Sequence, residues 1–259
     1  MNNVFYIGAT GLQAQQGAVS VVSNNITNMN TAGYKRALVS FAEMVAPATL
    51  PGYRSGALPV RGQDILQGVA FDGTTRVFTP GDLRQTGNPF DIAIKGEGFL
   101  EIMAPGGQTL LTRGGTLRIN EDGYLSVANG MPLKPAISVP VDATSLSIAT
   151  TGKVYVVTSG QPTPTEIGQL ELVSVADTRR LLTGGNGLYR LDENARDVTR
   201  GLAGEDGLGS FSQASLETSN VQLTEELVSL LLLQRAYGAS AKVVQAGDEL
   251  MGIVNGLKR

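Results

Sequence analysis

From Ser219 to Asn255 the chain runs without a proline and carries apolar or small residues in two adjacent heptad stripes. One stripe is Leu232, Ala236, Ala239, Val243, Ala246, Leu250, Ile253 and Leu257. Beside it lie Leu230, Leu233, Tyr237, Ser240, Val244, Gly247, Met251 and Val254. A 3.5-residue repeat sustained over this length predicts a long helix packed as a coiled coil. One stripe occupies one partner helix, so two stripes require more than one. Ser219-Asn220-Val221-Gln222 reads as a capping box ahead of Glu225 and Glu226, whose charge suits a helix N-terminus. Gly256 with Lys258-Arg259 reads as the stop.

The opening residues match this pattern. Residues 4–29 place Phe5, Gly8, Leu12, Gln15, Val19, Val22, Ile26 and Met29 on one helical stripe, with Val4, Ile7, Gly11, Ala14, Ala18 and Val21 beside it. Gly8, Gly11 and Gly17 each weaken the isolated helix by roughly 1 kcal/mol, but they let a second helix come close. The Asn/Thr cluster of residues 24–31, completed by Gly33, predicts a sharp stop and turn.

Between the two helical segments the texture changes. Residues 37–60 hold Pro47, Pro51 and Pro59 with little periodicity, which predicts an extended hinge. From about residue 64 to 210 short alternating runs are separated by Gly, Pro, Asn and Asp. Examples are Phe90–Ile94, Phe99–Met103, Pro135–Val141 and Lys153–Val157, with turns at Pro105-Gly106-Gly107 and Glu121-Asp122-Gly123. The expected fold class is α+β: N- and C-terminal helices paired as a coiled coil, with a central all-β domain inserted between them. The expected boundaries are 1–35 for the first helix, 36–63 for the hinge, 64–210 for the β-domain and 211–259 for the second helix.

Composition narrows the chemistry. The chain has no Cys and no His, so thiol nucleophiles, zinc-thiolate sites and the commonest general base are missing. No metal site and no cofactor are expected. A net charge of −3 with acids and bases intermixed gives no basic footprint for nucleic acid. The longest strongly apolar run, Leu230–Leu233, stops at Gln234-Arg235, so no membrane insertion is expected. Met1-Asn2-Asn3 lacks the basic start of a secretory signal. Asn25-Ile26-Thr27 is formally a glycosylation sequon but falls at a predicted helix end.

Several spaced motifs carry a resemblance. Val22-Ser23-Asn24-Asn25-Ile26-Thr27-Asn28-Met29-Asn30-Thr31-Ala32-Gly33-Tyr34-Lys35-Arg36, the middle run Gln85–Ile94 with Lys95-Gly96-Glu97-Gly98-Phe99, Thr112-Arg113-Gly114-Gly115, Asp122–Leu125, Leu216–Val221 and Gln234-Arg235-Ala236-Tyr237 together resemble the axial proteins of bacterial flagella. Among those, the chain is most similar to the basal-body rod proteins. Gly114 stands where that family has Asp, Gly238 where Glu is common, and Ser240-Ala241 replaces an Asn-Ser type pair. The length and the Thr10–Gln16 start resemble the distal rod class, with the proximal rod class close behind.

The resemblance implies a structural, non-enzymatic role in the basal body. It implies homo-oligomerisation into a helical filament, with other rod and hook proteins and the surrounding rings as partners. It also implies export through the flagellum's own channel without a cleaved signal peptide. The expected assembly interface is Leu12, Val19, Val22 and Ile26 on the first helix and Leu232, Ala236, Ala239, Val243, Leu250, Ile253 and Leu257 on the second. The family-motif turn is Asn24, Asn25, Asn28, Thr31, Gly33 and Tyr34. A rival class is a periplasmic glycan-processing enzyme using Asp91, Glu97 or Asp122 as its carboxylates.

Overall fold

The computed structural model describes residues 2–46, 65–191 and 198–256. The chain folds into two compact units. One comprises Met1–Thr27, Ala37–Thr75 and Gln222–Arg259; the other comprises Asn28–Arg36 and Arg76–Val221.

The first unit holds helix α1 (Asn2–Thr27), strands β1 (Ala37–Ala46) and β2 (Ile65–Arg76), and helix α2 (Leu223–Gly256). β1 and β2 pair as a two-stranded sheet. Part of the expected hinge is therefore strand. The run Ala37–Ala46 is mostly apolar but lacks a regular alternation of apolar and polar residues, so it gives no clear strand signal. A Cβ at Gly17 of α1 would stand 3.1 Å from the Phe71 ring, and the β2 residue Gly68 lies against Ile7 and Thr10. The remainder of the expected hinge, residues 47–63, lies outside the described residues. α1 thus packs on a strand pair as well as on a helix, which its helical stripes alone do not predict.

In the second unit, short strands run from β3 to β18. They are β3 (Leu83–Gln85), β4 (Asp91–Lys95), β5 (Leu100–Met103), β6 (Thr109–Thr112), β7 (Gly114–Ile119), β8 (Leu125–Val127), β9 (Leu133–Lys134) and β10 (Ala143–Ile148). Then follow β11 (Lys153–Thr158), β12 (Gln161–Gln169), β13 (Glu171–Val175), β14 (Leu181–Gly185), β15 (Leu188–Leu191), β16 (Val198–Leu202), β17 (Ser210–Gln213) and β18 (Ser215–Glu217). The two largest sheets are ordered β14-β15-β6-β5-β9 and β17-β4-β7-β8, with β10-β11-β12, β13-β16 and β18-β3 beside them. Their ladders are antiparallel, as in β17 with β4, where Phe211 faces Ile94, and β5 with β6, where Ile102 faces Leu110.

The alternating pattern on these strands builds one main core. Ile92, Leu100, Ile102, Leu125, Leu133, Val154, Leu170 and Leu172 are fully buried in it. A smaller cluster joins Phe78, Phe99 and Tyr189 edge-to-face, with centroids 4.8–6.3 Å apart. Burial pushes the Tyr189 phenol up to about 12. Pro135–Val141 does not form the expected strand, since Pro135 and Pro140 supply no N–H to a ladder. Ile137 and Val139 are still buried, and their backbones pair with Leu125 and Gly123.

Three boundaries differ from expectation. α1 ends at Thr27, so Asn24 and Asn25 sit in its last turn and the turn proper begins at Asn28. β17 and β18, expected with the second helix, belong to the β-unit. The capping box does not form: Ser219 Oγ accepts from Val221 N–H at 3.2 Å, and α2 begins only at Leu223. One premise of the membrane expectation, that no apolar segment is long enough, needs correction. By length and composition Leu223–Ile253 is long and apolar enough to cross a membrane, with a mean hydropathy of 1.2. Its apolar residues are spread around two faces rather than gathered in one run, so inspection of runs misses it.

Gly114 has φ +119°, and a Cβ there would run into the Ile92 carbonyl of β4. The Gly at this family Asp position therefore lets β7 lie tight against β4. Gly114→Ala is expected to destabilise the β-unit by roughly 1–3 kcal/mol, the range for a residue forced into a glycine-only conformation. Urea unfolding followed by Tyr fluorescence would measure it.

Candidate assembly interface

α1 and α2 pack against each other in antiparallel order. Gly8 lies against Val244, Gln15 Nε2 donates to Ser240 Oγ at 3.2 Å, and Asn25 Nδ2 donates to Glu226 Oε2 at 3.2 Å. Residue numbers rise along one helix as they fall along the other. A Cβ on Gly8 would stand 2.5 Å from Val244 Cγ2, so glycine there sets the close approach. Ala14 and Ala18 are buried in α1 for the same steric reason: small side chains allow the helix to be covered closely.

This pairing divides the two stripes of α2. In one stripe Leu230, Leu233, Ser240, Val244, Gly247 and Met251 are half-buried or buried, Tyr237 is exposed, and Ser240 and Val244 meet α1. The other stripe is left to solvent. Leu232 is 60% exposed, Val243 48%, Leu250 59% and Ile253 60%. Ala239 is exposed, Ala236 half-buried, and Leu257 lies outside the described residues. Of the expected α2 interface residues, Leu232, Ala239, Val243, Leu250 and Ile253 are thus left uncovered by the described residues. On α1 the picture differs: Val22 is buried and Leu12, Val19 and Ile26 are half-buried.

The motif turn carries two different jobs. Asn25 is 1% exposed, accepts from Ala37 N–H at 3.0 Å and donates to Ala37 C=O at 2.9 Å. Its amide therefore acts as a peptide unit tying the end of α1 to the start of β1. Burial also places it out of reach of glycosylation. Asn24 is exposed on the helix. Thr31 donates from Oγ1 to Asn28 Oδ1 at 3.2 Å and from its N–H to the Asn28 carbonyl at 3.0 Å, closing the turn. Gly33 has φ +69° and donates to the Glu217 carbonyl at 2.7 Å. The Arg76 guanidinium sits 4.8 Å from the Tyr34 ring centroid.

Sequence reasoning did not foresee the charged centre of the β-unit. Lys35, Arg113 and Glu217 come from three separate motif stretches and meet in its interior. Lys35 Nζ contacts Glu217 Oε1 at 2.6 Å, and Arg113 Nε contacts Glu217 Oε2 at 3.2 Å; Lys35 is fully buried and the others nearly so. The cluster is well satisfied. Lys35 also donates to the Thr79 carbonyl, Arg113 donates to the Gly98 and Gly96 carbonyls at 2.6 and 2.7 Å, and Gly81 N–H donates to Glu217 Oε1 at 2.9 Å. Burial alone would raise the Glu217 carboxyl, but Arg113, Lys35 and the Gly81 N–H outweigh it and hold the group below its ordinary range. The only signal in the sequence is that each of the three motifs carries a charged residue.

A cleft of about 370 Å³ lies next to this cluster, lined by Gly33, Thr112–Thr116, Val127–Asn129, Asn186–Leu188 and Leu216 among others. Its one cation, Arg113, is engaged by Glu217 and carbonyls. Among the described residues no cluster of acids could hold a metal ion. The enzyme rival loses its best carboxylate as well. Asp91 is buried and accepts from Thr86, Asn88 and Thr116 at 2.6–3.0 Å, while Glu97 and Asp122 are both exposed.

Comparison with known proteins agrees with this geometry. Residues 5–35 match the flagella basal body rod protein family. Residues 93–156 match the flagellar hook protein FlgE/F/G D1 domain, and residues 212–257 the flagellar basal body rod FlgEFG protein C-terminal region. The flagellar basal-body rod protein FlgG of Agrobacterium fabrum is 34% identical over 253 residues, covering 96% of this chain and 97% of its own. FlgG of Buchnera aphidicola subsp. Acyrthosiphon pisum is 32% identical over 249 residues, covering 95% and 96%. FlgG of Borreliella burgdorferi is 31% identical over the whole of both chains. The chain therefore belongs to the flagellar basal-body rod protein family. Within it the chain is a structural rod protein of the FlgG, distal-rod type, a component of the flagellar basal body.

Glu217→Gln would leave Lys35 and Arg113 buried without their counter-charge. The expected loss of β-unit stability is on the order of 3–5 kcal/mol, read by urea unfolding at neutral pH. A second carboxylate sets an acid limit. Hydrogen bonds from Arg200, opposed by burial and aided by Lys134, hold Glu101 down to about 2 from an ordinary 4.5. A depressed folded value means its contribution is complete above about 4.5 and is lost as pH falls towards about 2. The melting temperature is expected to fall across that window, and less so in Glu101→Gln.

Proposed function

We propose that this rod protein polymerises through α1 and α2 into a helical tube that transmits torque. The β-unit then forms the outer wall and faces the surrounding rings. The observation that carries the reading is the uncovered second face of α2. Leu232, Val243, Leu250 and Ile253 lie exposed on it, and of the 21 large hydrophobic residues exposed among the described residues nine lie on this one helix, from Leu223 to Ile253. An apolar surface concentrated in this way marks an interaction site. Helices from neighbouring copies would complete a coiled-coil bundle around it, through Leu232, Ala236, Ala239, Val243, Leu250, Ile253 and Leu257. A head-to-tail contact of this kind does not close on itself and so builds a filament.

Ordering of the terminal helices on assembly would confine growth to the filament tip. The partners are further copies, other rod and hook proteins, and the rings. The site of action is the rod where it spans the periplasm, reached by the flagellum's own export route. No catalytic, cofactor or metal function is part of this reading.

Leu250→Asp and, separately, Ala239→Leu are expected to reduce polymerisation by about tenfold or more. The first places a charge in an apolar contact, and the second overfills a close one. Both leave β-unit melting unchanged. Light scattering during assembly measures the first effect and calorimetry the second. Normal polymerisation of both variants would overturn the assignment of this face.

A further inference from the structure

The small residues that let α1 and α2 come close say little about where along each other the helices stop. Gly8, Ala14 and Ala18 offer no knob that must enter one particular hole. A seam of this kind tolerates a slide of one heptad, which returns the same face to the partner. Two polar contacts interrupt it. Towards one end Gln15 Nε2 donates to Ser240 Oγ at 3.2 Å, and the Gln15 Oε1 atom is buried with no protein partner. Towards the other, Asn25 Nδ2 donates to Glu226 Oε2 at 3.2 Å, both residues being 1% exposed.

We propose that the Gln15–Ser240 and Asn25–Glu226 pairs fix the axial register of α1 against α2. Through that register they decide which apolar residues of α2 are offered to the next copy. A slide of α2 by seven residues sets Gln15 opposite Leu233 or Gly247, neither of which has a polar side chain. It sets Asn25 opposite Leu233 in one direction and Ser219, ahead of the helix, in the other. Either slide strands buried polar groups, and that penalty, rather than the strength of the bonds, excludes the wrong register. Gln15 and Ser240 are therefore positioning residues. Paired with each other, they place Leu232, Val243, Leu250 and Ile253 relative to α1. The consequence for the filament rests on the rod-subunit reading; the register itself does not.

The chain has no native Cys, so a pair of introduced ones reports register directly. A Cβ on Gly8 would stand 3.8 Å from Val244 Cβ, inside the span of a disulfide. Three reporters are made: G8C/V244C for the register seen here, and G8C/Y237C/V244A and G8C/V244A/M251C for slides of one heptad in either direction, Val244→Ala clearing the space that a Cβ at position 8 needs. Each is oxidised in monomer and in filament, in the natural background and with Gln15→Leu/Ser240→Ala, which replaces polar partners by apolar ones of similar shape. In the natural background only G8C/V244C is expected to close. In the altered background one of the slipped reporters is expected to rise at least about fivefold, the scale of one lost hydrogen bond. Adding Glu226→Leu raises it further. Circular dichroism and β-unit melting confirm that each variant is folded. If only G8C/V244C closes in every background, the polar pairs do not set register. If G8C/V244C closes in neither monomer nor filament, the helix pairing itself is wrong. Filament formation by these variants tests the rod reading separately.

Discussion

An α-helix with apolar residues on two faces needs two partners, and the described residues supply α2 with one. Glycine and alanine on α1 bring that helix close enough to cover the stripe through Ser240 and Val244. α1 then turns its other side to β1 and β2, through Gly17 and Gly68. Nothing described in the first unit remains to cover Leu232, Val243, Leu250 and Ile253. For a water-soluble single chain this would be a costly arrangement. For a subunit whose neighbours repeat the same surface, the uncovered stripe is where assembly gains its free energy.

The β-unit meets a different demand. It holds itself together with one main core and with a buried carboxylate that two cations and a backbone N–H satisfy. Lys35 follows the turn that leaves α1, and Glu217 closes the last strand before the chain enters α2. Their contact, with Gly33 N–H bonded to the Glu217 carbonyl, fastens the outgoing and returning segments together inside this unit. Removing one partner is far more damaging than never having had the pair, since a lone charge would be left in a dry interior.

Much of this is legible in the sequence, for identifiable reasons. The two stripes of α2 announce themselves by a repeat of 3.5, and the strands β4, β5 and β11 by alternation over a half-buried surface. The motif residues are legible as a resemblance but silent about their roles. Lys35 and Glu217 are 182 residues apart, and Arg113 lies 104 from Glu217, so no local pattern connects them. β1 reads as hinge because its apolar run lacks regular alternation, and β2 reads as part of the β-domain because its contacts with α1 fall on single residues such as Gly68 and Phe71. Asn25 reads as a turn residue because Asn favours turns, whereas its amide here bonds the backbone of Ala37 from within the helix. The apolar length of α2 shows in no single run because its residues are distributed around the helix.

The central claim is that neighbouring copies cover the free stripe of α2. Hydroxyl-radical footprinting of monomer and filament, read at Leu232, Val243, Leu250 and Ile253, tests it most directly. The account predicts strong labelling of all four in the monomer, and protection of about tenfold or more in the filament, as expected for side chains moved from water into a packed interior. Labelling that stays the same in both states would contradict it and would place the assembly contacts elsewhere on the molecule.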